Sequence, residues 1–329
     1  MRRSDLLPAW GRILRGYRPL LSIEITRECP LRCPGCYAYG AEHLGELVTL
    51  RQLTDYKGDQ LVNGVLGLVR RYRPIHISIV GGEPLVRWRE LDLLLPKLDA
   101  MGIEVQLVTS AVRPLPAHWA AIQSLHLAVS VDGLPAEHDR RRAPATYDRI
   151  LKHIAGQFVA IHCTVTRQML DRDDYLYEFA DFWSHRPEAR KIWFSLYTPQ
   201  EGEQSEERLT GDDRRRAIAQ LAGVAGRFPK VDLPGVVLEG YMRPPDSPED
   251  CIFAQSTKCV SADLETSIAP CQFGGKPVCA ECGCMASAGL ASIARYTVAG
   301  LAPASALFAL SRKFGSVWSA TARRRATGT

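Results

Sequence analysis

The chain has 329 residues, of which 46% are hydrophobic and 23% charged, so it can bury a substantial core and is not a disordered protein. It has neither an apolar run of the ~18 residues that span a membrane nor the residue order of a secretory signal, so we expect a cytoplasmic protein. The net charge of +5 is concentrated at the two ends, and ten cysteines in such a protein favour metal or redox chemistry over disulfides.

Short β-branched or apolar runs alternate with helical stretches along most of the chain. The predicted strands are Leu21–Thr26, Ile75–Val80, Ile103–Thr109, Leu125–Val131, Val159–Thr166 and Ile192–Tyr197. The predicted helices are Leu50–Arg71 (with Thr49 and Gln52 as a capping box), Arg87–Ala100, Pro116–Gln123, Tyr147–Gly156, Asp173–Ser184 and Gly211–Ala225. Strand–helix units in series predict an α/β fold, an open (β/α)6 partial TIM barrel. Such sheets bind ligands beyond the carboxyl ends of their strands.

The loop after the first predicted strand contains three cysteines, Cys29, Cys33 and Cys36. Soft thiolates at this spacing can converge in a compact loop and select iron–sulfur clusters, zinc or copper(I). Structural zinc sites and ordinary iron–sulfur clusters use four protein ligands, so three thiolates leave one metal position open for another molecule. The alternative is a zinc site whose fourth ligand lies elsewhere in the chain, for instance His43.

The pattern Cys29-x-x-x-Cys33-x-x-Cys36 directly after a first strand resembles the signature of radical S-adenosylmethionine (SAM) enzymes. The resemblance implies that the three cysteines hold a [4Fe–4S] cluster and that SAM binds the open iron. It further implies that an electron from the cluster cleaves SAM and that the resulting 5′-deoxyadenosyl radical abstracts a hydrogen atom from the substrate.

Two further motifs follow at strand ends. Gly81-Gly82-Glu83-Pro84, after the second strand, is similar to the GGEP motif of the family, which implies a backbone contact with the SAM amino group and an orienting role for Glu83. The fourth strand ends at Ser130-Val131-Asp132-Gly133, and His138-Asp139-Arg140-Arg141-Arg142 follows, similar to the S-x-D-G…H-D-x-x-R stretch of the family. The resemblance implies that Ser130 contacts the SAM ribose and Arg142 the SAM carboxylate, with Asp132 in the same site. We expect Arg140 and Arg141 to be solvated.

The chain departs from the family pattern at two places. Gly35 stands before the third cysteine, where the family often has an aromatic residue, so either Tyr37 supplies the ring or the backbone alone holds the adenine. Thr109-Ser110-Ala111 follows the third strand in place of Thr-Asn-Gly. Thr164 and Thr166 lie where the family often contacts adenosine, but they suit ordinary strand positions equally well.

The repeating pattern ends after residue 227. Pro229, Pro234, Pro244, Pro245 and Pro248 are expected to interrupt any helix up to residue 250. The predicted division is a basic segment (1–19), the radical SAM partial barrel (20–227), a Pro-rich linker (228–250), a small Cys-rich domain (251–284) and a helical tail without acidic residues (285–329). The tail contains two apolar stretches, Leu290–Val298 and Leu301–Leu310.

The Cys-rich segment contains Cys251, Cys259, Cys271, Cys279, Cys282 and Cys284. Cys259 and Cys271 bracket a predicted hairpin, Val260–Pro270, that turns near Asp263–Glu265. The segment is similar to the twitch or SPASM extensions of radical SAM enzymes that modify peptides and proteins, which implies an auxiliary iron–sulfur cluster. Two fully cysteine-ligated clusters would need more thiolates than are present, so we predict one. Its predicted ligands are Cys259, Cys271, Cys279 and Cys282, with Cys284 or Cys251 as replacements. Structural zinc is the alternative.

These motifs together predict an iron–sulfur and SAM-dependent enzyme that needs a one-electron donor protein, although no catalytic residue is identified. The twitch-like extension favours a peptide or protein substrate, whereas the apolar tail with its basic ends suits a lipid substrate or a peripheral contact with a membrane.

The alternative functions are a non-catalytic zinc-stabilised binding module and a SAM-dependent transferase that uses polar chemistry. No motif of a nucleic-acid-reading fold is present, so we expect no nucleic-acid partner. Cys163, His76, His126 and His162 lie in predicted strands and are expected to be core residues.

Overall fold

A computed structural model describes residues 6–45, 48–295, 297–298 and 302–327. Seven strands form one parallel sheet in the order β6-β5-β4-β3-β2-β1-β7. They are β1 (Leu20–Glu24), β2 (His76–Val80), β3 (Glu104–Thr109), β4 (Leu125–Ser130), β5 (Val159–Val165), β6 (Ala189–Leu196) and β7 (Thr257–Val260). The predicted α/β partial barrel is confirmed, and the carboxyl ends of all seven strands meet at one edge of the sheet.

Helices lie between most of the first six strands and flank them. Helix α1 (Leu6–Leu14) precedes β1, and α7 (Gly211–Arg227) follows β6. Between the strands lie α2 (Gly58–Tyr72), α3 (Trp88–Ala100), α4 (Pro135–Arg141), α5 (Tyr147–His153) and α6 (Tyr175–Ser184). The predicted helix Leu50–Arg71 is wrong in its first part. The side chain of Gln52 does accept a hydrogen bond from the Thr49 backbone N–H (2.7 Å), as a capping box requires, but only a 3-10 turn follows. Asp55 then bonds to Thr26 across the sheet edge, which draws the chain out of helical geometry until Gly58.

The two faces of the sheet have different environments. Alternate residues along β1, such as Leu21 and Ile23, are buried in the hydrophobic core together with apolar residues of the helices. The residues between them, Ser22 and Glu24, therefore point to the opposite, concave face. The expected core residue Cys163 is fully buried within β5, beside Met169. The segment Pro116–Gln123 forms a 3-10 helix, Ala117–Ala121, and not the predicted α-helix.

The C-terminal part corrects the predicted linker. Helix α8 (Gly235–Met242) lies within it, because Pro234 precedes the helix and Pro244 follows it, so neither proline interrupts its hydrogen bonds. Helix α9 (Ile252–Ser256) comes next and leads into β7, which pairs with β1 and so joins the Cys-rich segment to the main sheet. The predicted hairpin is reduced to a tight turn, with a bridge between Val260 and Ser267.

Two helices, α10 (Met285–Arg295) and α11 (Ala304–Thr327), form the tail, separated by the two-residue strands β8 (Thr297–Val298) and β9 (Ala302–Pro303). Helix α11 packs against α1. Arg2 and Arg3 of the basic N-terminal segment and Leu301 of the second apolar stretch lie outside the described residues. Within the described ranges, no helix combines the length and the apolar character that a membrane crossing requires.

Candidate functional site

The three cysteines of the first cluster lie together in the loop that follows β1. All three are partly exposed. Burial is the main cause that raises the pKa of Cys29 to about 12, and the neighbouring Cys33 and Cys36 add to it. Burial and then Cys33 likewise raise the pKa of Cys36. A bound metal would offset these costs, because a cation stabilises a coordinating thiolate.

The donor set fits an iron–sulfur cluster with one open iron. No three His, Cys, Asp or Glu side chains among the described residues are arranged to hold a single metal ion. In a four-iron cluster each thiolate binds its own iron, so the sulfurs need not converge on one point. Three soft sulfur donors in a half-buried loop therefore suit such a cluster by their chemistry and number.

The loop after β2, which contains the GGEP sequence, packs directly on the cysteine loop. The Gly82 N–H donates to the carbonyl oxygen of Thr26 (2.9 Å), and the Glu83 N–H donates to that of Glu28 (2.8 Å). A Cβ atom at Gly82 would lie 2.2 Å from the Glu28 carbonyl oxygen. Gly81 has a φ of +117° and lies against the backbone of Glu24. Only glycine allows both close approaches.

Glu83 organises the strand ends around it. Its carboxylate is fully buried and accepts hydrogen bonds from the backbone N–H groups of Leu85 (3.0 Å) and Ser110 (2.8 Å) and from the Thr109 hydroxyl. Pro84, next in the motif, begins the 3-10 turn Pro84–Arg87. Burial raises the pKa of Glu83, and the three bonds oppose that rise. The geometry agrees with an orienting role for this carboxylate.

Arg87 connects this loop to the cysteine loop in a network that sequence reasoning missed. Its guanidinium is almost completely buried and bonds to Glu28 (3.0 Å) and to the buried Asp55. Lys57 also contacts Glu28 (3.0 Å). Hydrogen bonds from Arg87 and then Lys57 lower the pKa of Glu28 to about 2. No local pattern marks these residues, because each bond joins positions far apart in the chain.

Asp132 is held between two arginines at the end of β4. Arg141 contacts it and also forms two hydrogen bonds with Glu207 (2.6 and 2.8 Å). The expectation that Arg141 is solvated is wrong, because its side chain is only 15% exposed. Arg142 donates to Asp132 (2.7 Å) and to the Ser110 hydroxyl (2.9 Å). Burial disfavours the Asp132 charge, but Arg142 and Arg141 outweigh it and lower the pKa of Asp132.

The arginine pair faces the cysteine loop. Burial opposes the charges of Arg141 and Arg142, but Asp132 outweighs it, and Cys33 contributes to the raised pKa of both arginines. Ser130 pairs in register with His162, on the strand next to it. The structure thus brings the cysteine loop, the GGEP loop and the Asp132–Arg142 pair to one end of the sheet, as the motifs predict.

The remaining residues singled out in the predicted strands are two threonines and two histidines. Thr164 donates its backbone N–H to Asp132 (3.0 Å), and Thr166, which directly follows this strand, is buried. His126 and His162 are hydrogen-bonded, to Glu104 (2.7 Å) and to the Ser195 hydroxyl (2.8 Å), but both are only partly buried.

Tyr37 and His43 link the cysteine loop to the C-terminal segment. The Tyr37 ring packs edge-on against Phe273 (5.4 Å between centroids), and its hydroxyl accepts from Gln272 (3.2 Å). His43 bonds through Nε2 to Glu24 (2.7 Å) and through Nδ1 to the Phe273 carbonyl (2.8 Å). Because both ring nitrogens are engaged, His43 is not available as the fourth ligand of a zinc site. The adenine contact of Tyr37 stays a prediction.

Five cysteines of the second cluster line one largely apolar cavity. They are Cys251, Cys271, Cys279, Cys282 and Cys284. Cys259 is not among them. It lies in β7 opposite Ser22 of β1. Cys251 is at hydrogen-bonding distance from the Ser287 hydroxyl (3.3 Å). The residues present therefore fit a thiolate-ligated metal group, with more thiols at hand than one cluster needs.

Residues 23–156 match the family model described as Radical SAM superfamily. The 7-carboxy-7-deazaguanine synthase of Hyperthermus butylicus is 31% identical over 110 residues, which cover 32% of this chain and 41% of that protein. Streptococcus suis SuiB bound to the precursor peptide SuiA has a TM-score of 0.56 at 15% identity, covering 79% of this chain and 61% of SuiB. The protein anSMEcpe with bound AdoMet has a TM-score of 0.57 at 16% identity, covering 77% of this chain and 74% of anSMEcpe.

The chain spans less than two thirds of the length of the synthase and of SuiB. At 15–16% identity the two solved structures show a shared fold. The family match covers the cysteine loop, the GGEP loop and the Asp132–Arg142 pair that the structure brings together. The similarity to the radical SAM superfamily is thus established for residues 23–156, which are less than half of the chain.

Proposed function

We propose that the chain is a radical SAM enzyme in which Cys29, Cys33 and Cys36 bind three irons of a [4Fe–4S] cluster and SAM binds the fourth. The observation that carries this proposal is the direct contact between the three-cysteine loop and the GGEP loop. When bound, the cluster supplies the electron that cleaves SAM to methionine and a 5′-deoxyadenosyl radical, which abstracts hydrogen from the substrate.

The residues around the cysteine loop have separate roles in this proposal. Gly81 and Gly82 let the GGEP backbone pack directly on the backbone of the cysteine loop, and from this position the GGEP main chain binds the amino group of SAM. Arg142, oriented by Asp132 and Ser110, pairs with the SAM carboxylate, since a guanidinium suits bidentate recognition of a carboxylate. Ser130 donates to the ribose.

The test is anaerobic reconstitution with iron and sulfide, followed by measurement of iron content and of 5′-deoxyadenosine after reduction. We expect brown protein that forms 5′-deoxyadenosine from SAM, and loss of both properties in Cys29→Ala, Cys33→Ala and Cys36→Ala. Cys163→Ala is the matched control, because this thiol is buried among core residues of β5 and should leave the iron content unchanged. Iron-free wild-type protein, or iron-loaded protein that leaves SAM intact, would refute the proposal.

We also propose an auxiliary iron–sulfur cluster in the C-terminal cavity. The support is the convergence of five thiols on one apolar space. The sequence-based ligand set of Cys259, Cys271, Cys279 and Cys282 then competes with a set in which Cys251 or Cys284 replaces Cys259. Arg214 closes this region by donating to the carbonyl oxygens of Glu281 (2.9 Å) and Cys282 (2.6 Å).

The first cluster must be absent when the auxiliary cluster is counted. In the Cys29→Ala/Cys33→Ala/Cys36→Ala protein we expect about four irons per chain to remain, the content of one cluster. Cys271→Ala and Cys282→Ala in that background should remove them, while Cys259→Ala, Cys251→Ala and Cys284→Ala show which of these three thiols completes the ligand set. Stoichiometric zinc in place of iron would contradict the auxiliary cluster.

The proposed substrate is a peptide or protein side chain. The support is the fold shared with SuiB bound to the peptide SuiA and with anSMEcpe bound to the Cp18Cys peptide. A lipid or another small molecule is the competing substrate class. Its support is the similarity to a 7-carboxy-7-deazaguanine synthase, whose name includes that of a small molecule.

Hydrogen abstraction provides a direct test of the substrate class. Extract from cells grown in deuterated medium is separated into peptide, lipid and small-molecule fractions, and each is incubated with the reduced enzyme and SAM. We expect deuterium to appear in 5′-deoxyadenosine with the peptide fraction, detected by mass spectrometry. Transfer only from the lipid or small-molecule fraction would replace the peptide proposal, while leaving the SAM chemistry intact.

A further inference from the structure

A solvent-open cleft of about 430 Å³ lies beside Cys29. Its lining is Arg27, Glu28, Cys29, Pro30, Arg51 and Val86. Cys29 is thus the cluster ligand that lies next to this opening. Cys33 and Cys36 are not part of this lining, and Cys36 precedes Tyr37, which packs on Phe273 of the C-terminal segment. The cleft therefore opens at the Cys29 end of the cysteine loop, beside the turn Pro84–Arg87 that supplies Val86.

The cleft carries an excess of positive charge. Its acidic residue, Glu28, is already paired with Lys57 and Arg87, and Arg87 is also paired with Asp55. Arg27 and Arg51 add two charges with no carboxylate partner among the ion pairs found in the described residues. A concave surface with one sign of charge attracts a partner of the opposite sign and increases its rate of association.

The basic rim is held in place by the surrounding structure. The Arg51 guanidinium lies over the Tyr39 ring, 4.4 Å from its centroid, and the Tyr39 hydroxyl donates to the Arg27 carbonyl (2.8 Å). Arg27 in turn donates to the carbonyl oxygens of Arg51 (2.6 Å) and Leu53 (2.8 Å). Because these side chains are already positioned, a partner that docks here has little ordering cost to overcome.

We propose that this cleft, which we call the Cys29 cleft, is the docking surface for an acidic protein that carries one electron. The inference rests on the proposed function, since it needs a redox cluster at Cys29, Cys33 and Cys36. The carrier loses one electron and the cluster gains it, passing from the 2+ to the 1+ state, and no atom is transferred. Electron-transfer complexes are small and short-lived, which suits a shallow cleft surrounded by charge.

The test compares three variants with wild type, using a purified acidic flavodoxin and, separately, an acidic ferredoxin as probes. Arg51→Glu reverses an exposed charge of the cleft, and Arg51→Lys retains that charge. Arg190→Glu is the matched control, because Arg190 is exposed at the amino end of β6, on the far edge of the sheet. Binding is measured by calorimetry on the metal-free and the iron-loaded protein at two salt concentrations.

We expect Arg51→Glu to weaken binding of the carrier by about tenfold at low salt, and Arg51→Lys and Arg190→Glu to have little effect. Binding to wild type should also weaken as the salt concentration rises. A second readout is 5′-deoxyadenosine formation, driven either by the reduced carrier or by photoreduced 5-deazariboflavin, a small uncharged reductant. Only the carrier-driven rate should fall in Arg51→Glu.

The possible failures are distinguishable. If neither carrier binds wild type, or if Arg51→Glu binds and accepts electrons as well as wild type does, the docking surface is refuted. If wild type makes no 5′-deoxyadenosine even with 5-deazariboflavin, the proposed function fails, while the binding measurement on metal-free protein still decides whether the cleft recognises an acidic partner.

Discussion

The backbone N–H of Glu83 donates a hydrogen bond to the carbonyl oxygen of Glu28, at 2.8 Å. Glu28 immediately precedes the first cluster cysteine, and Glu83 belongs to the GGEP sequence, so this bond joins the two loops through their main chains. A change in the position of one loop is therefore passed to the other without any side chain between them.

Gly82→Ala is expected to disrupt this junction. The added Cβ would lie 2.2 Å from the Glu28 carbonyl oxygen, which is backbone and cannot rotate away. We expect a loss of about 1–3 kcal/mol in the free energy of unfolding, typical of an overpacked site, together with reduced iron content after reconstitution. Denaturant titration measures the free energy of unfolding, and iron analysis measures the iron content.

Gly223→Ala is the control for this substitution. Gly223 lies in α7 with no other group within 4 Å of an added Cβ, so this change should preserve iron content and leave stability equal or higher. Equal iron content and stability in Gly82→Ala and wild type would show that the two loops are not packed as described.

Asp132→Asn is expected to be strongly destabilising. The substitution removes the carboxylate that the mostly buried Arg141 and Arg142 share, and Arg141 alone keeps a second carboxylate partner, Glu207. Removing one partner of a buried ion pair costs about 3–5 kcal/mol, because the remaining charge is uncompensated. Arg172→Ala, which breaks the exposed pair with Glu178, should have a far smaller effect on stability, because solvent screens an exposed ion pair. Similar losses for the two substitutions in urea unfolding would contradict this account.

The stabilisation by Asp132 should also depend on pH. The arginines lower its pKa in the folded protein below its ordinary value of 3.8. The stabilisation is therefore fully present above pH 3.8 and is lost as the pH falls towards the folded-state pKa. The difference in unfolding free energy between wild type and Asp132→Asn should shrink below pH 3.8, and a difference that stays constant down to pH 2 would rule out this titration.

His43 should give a pH dependence of the opposite sign. Burial disfavours its protonated form, but the hydrogen bond and charge of Glu24 outweigh this and raise its pKa above the ordinary 6.5. Its contribution is therefore fully present below pH 6.5 and is lost as the pH rises through the folded-state pKa. The stability difference between wild type and His43→Gln, measured by thermal unfolding, should decrease from pH 6 to pH 9. An increase over this range would exclude the Glu24 pairing.

Much of the site could be predicted because its determinants are local. Cys29, Cys33 and Cys36 are close in sequence, and the GGEP and Ser130–Asp132 segments directly follow strands whose apolar pattern is clear. Once the strands are parallel, their carboxyl ends must share one edge, so the three motifs come together without further information. The late start of α2, at Gly58, could not be predicted, since the hydrogen bond that holds Asp55 out of the helix comes from Thr26, in the loop after β1.

The chain order of apolar and polar residues by itself determined the parallel sheet, the strand limits within a few residues and the position of the three-cysteine loop. Tertiary structure alone decided that β7 would pair with β1, and that Ser261 and His43 would meet at the buried carboxylate of Glu24. It also decided that Arg141 would be buried between Asp132 and Glu207. Periodicity reports which face of its own element a residue occupies, whereas a buried charge selects its partner only after distant elements have packed and excluded water.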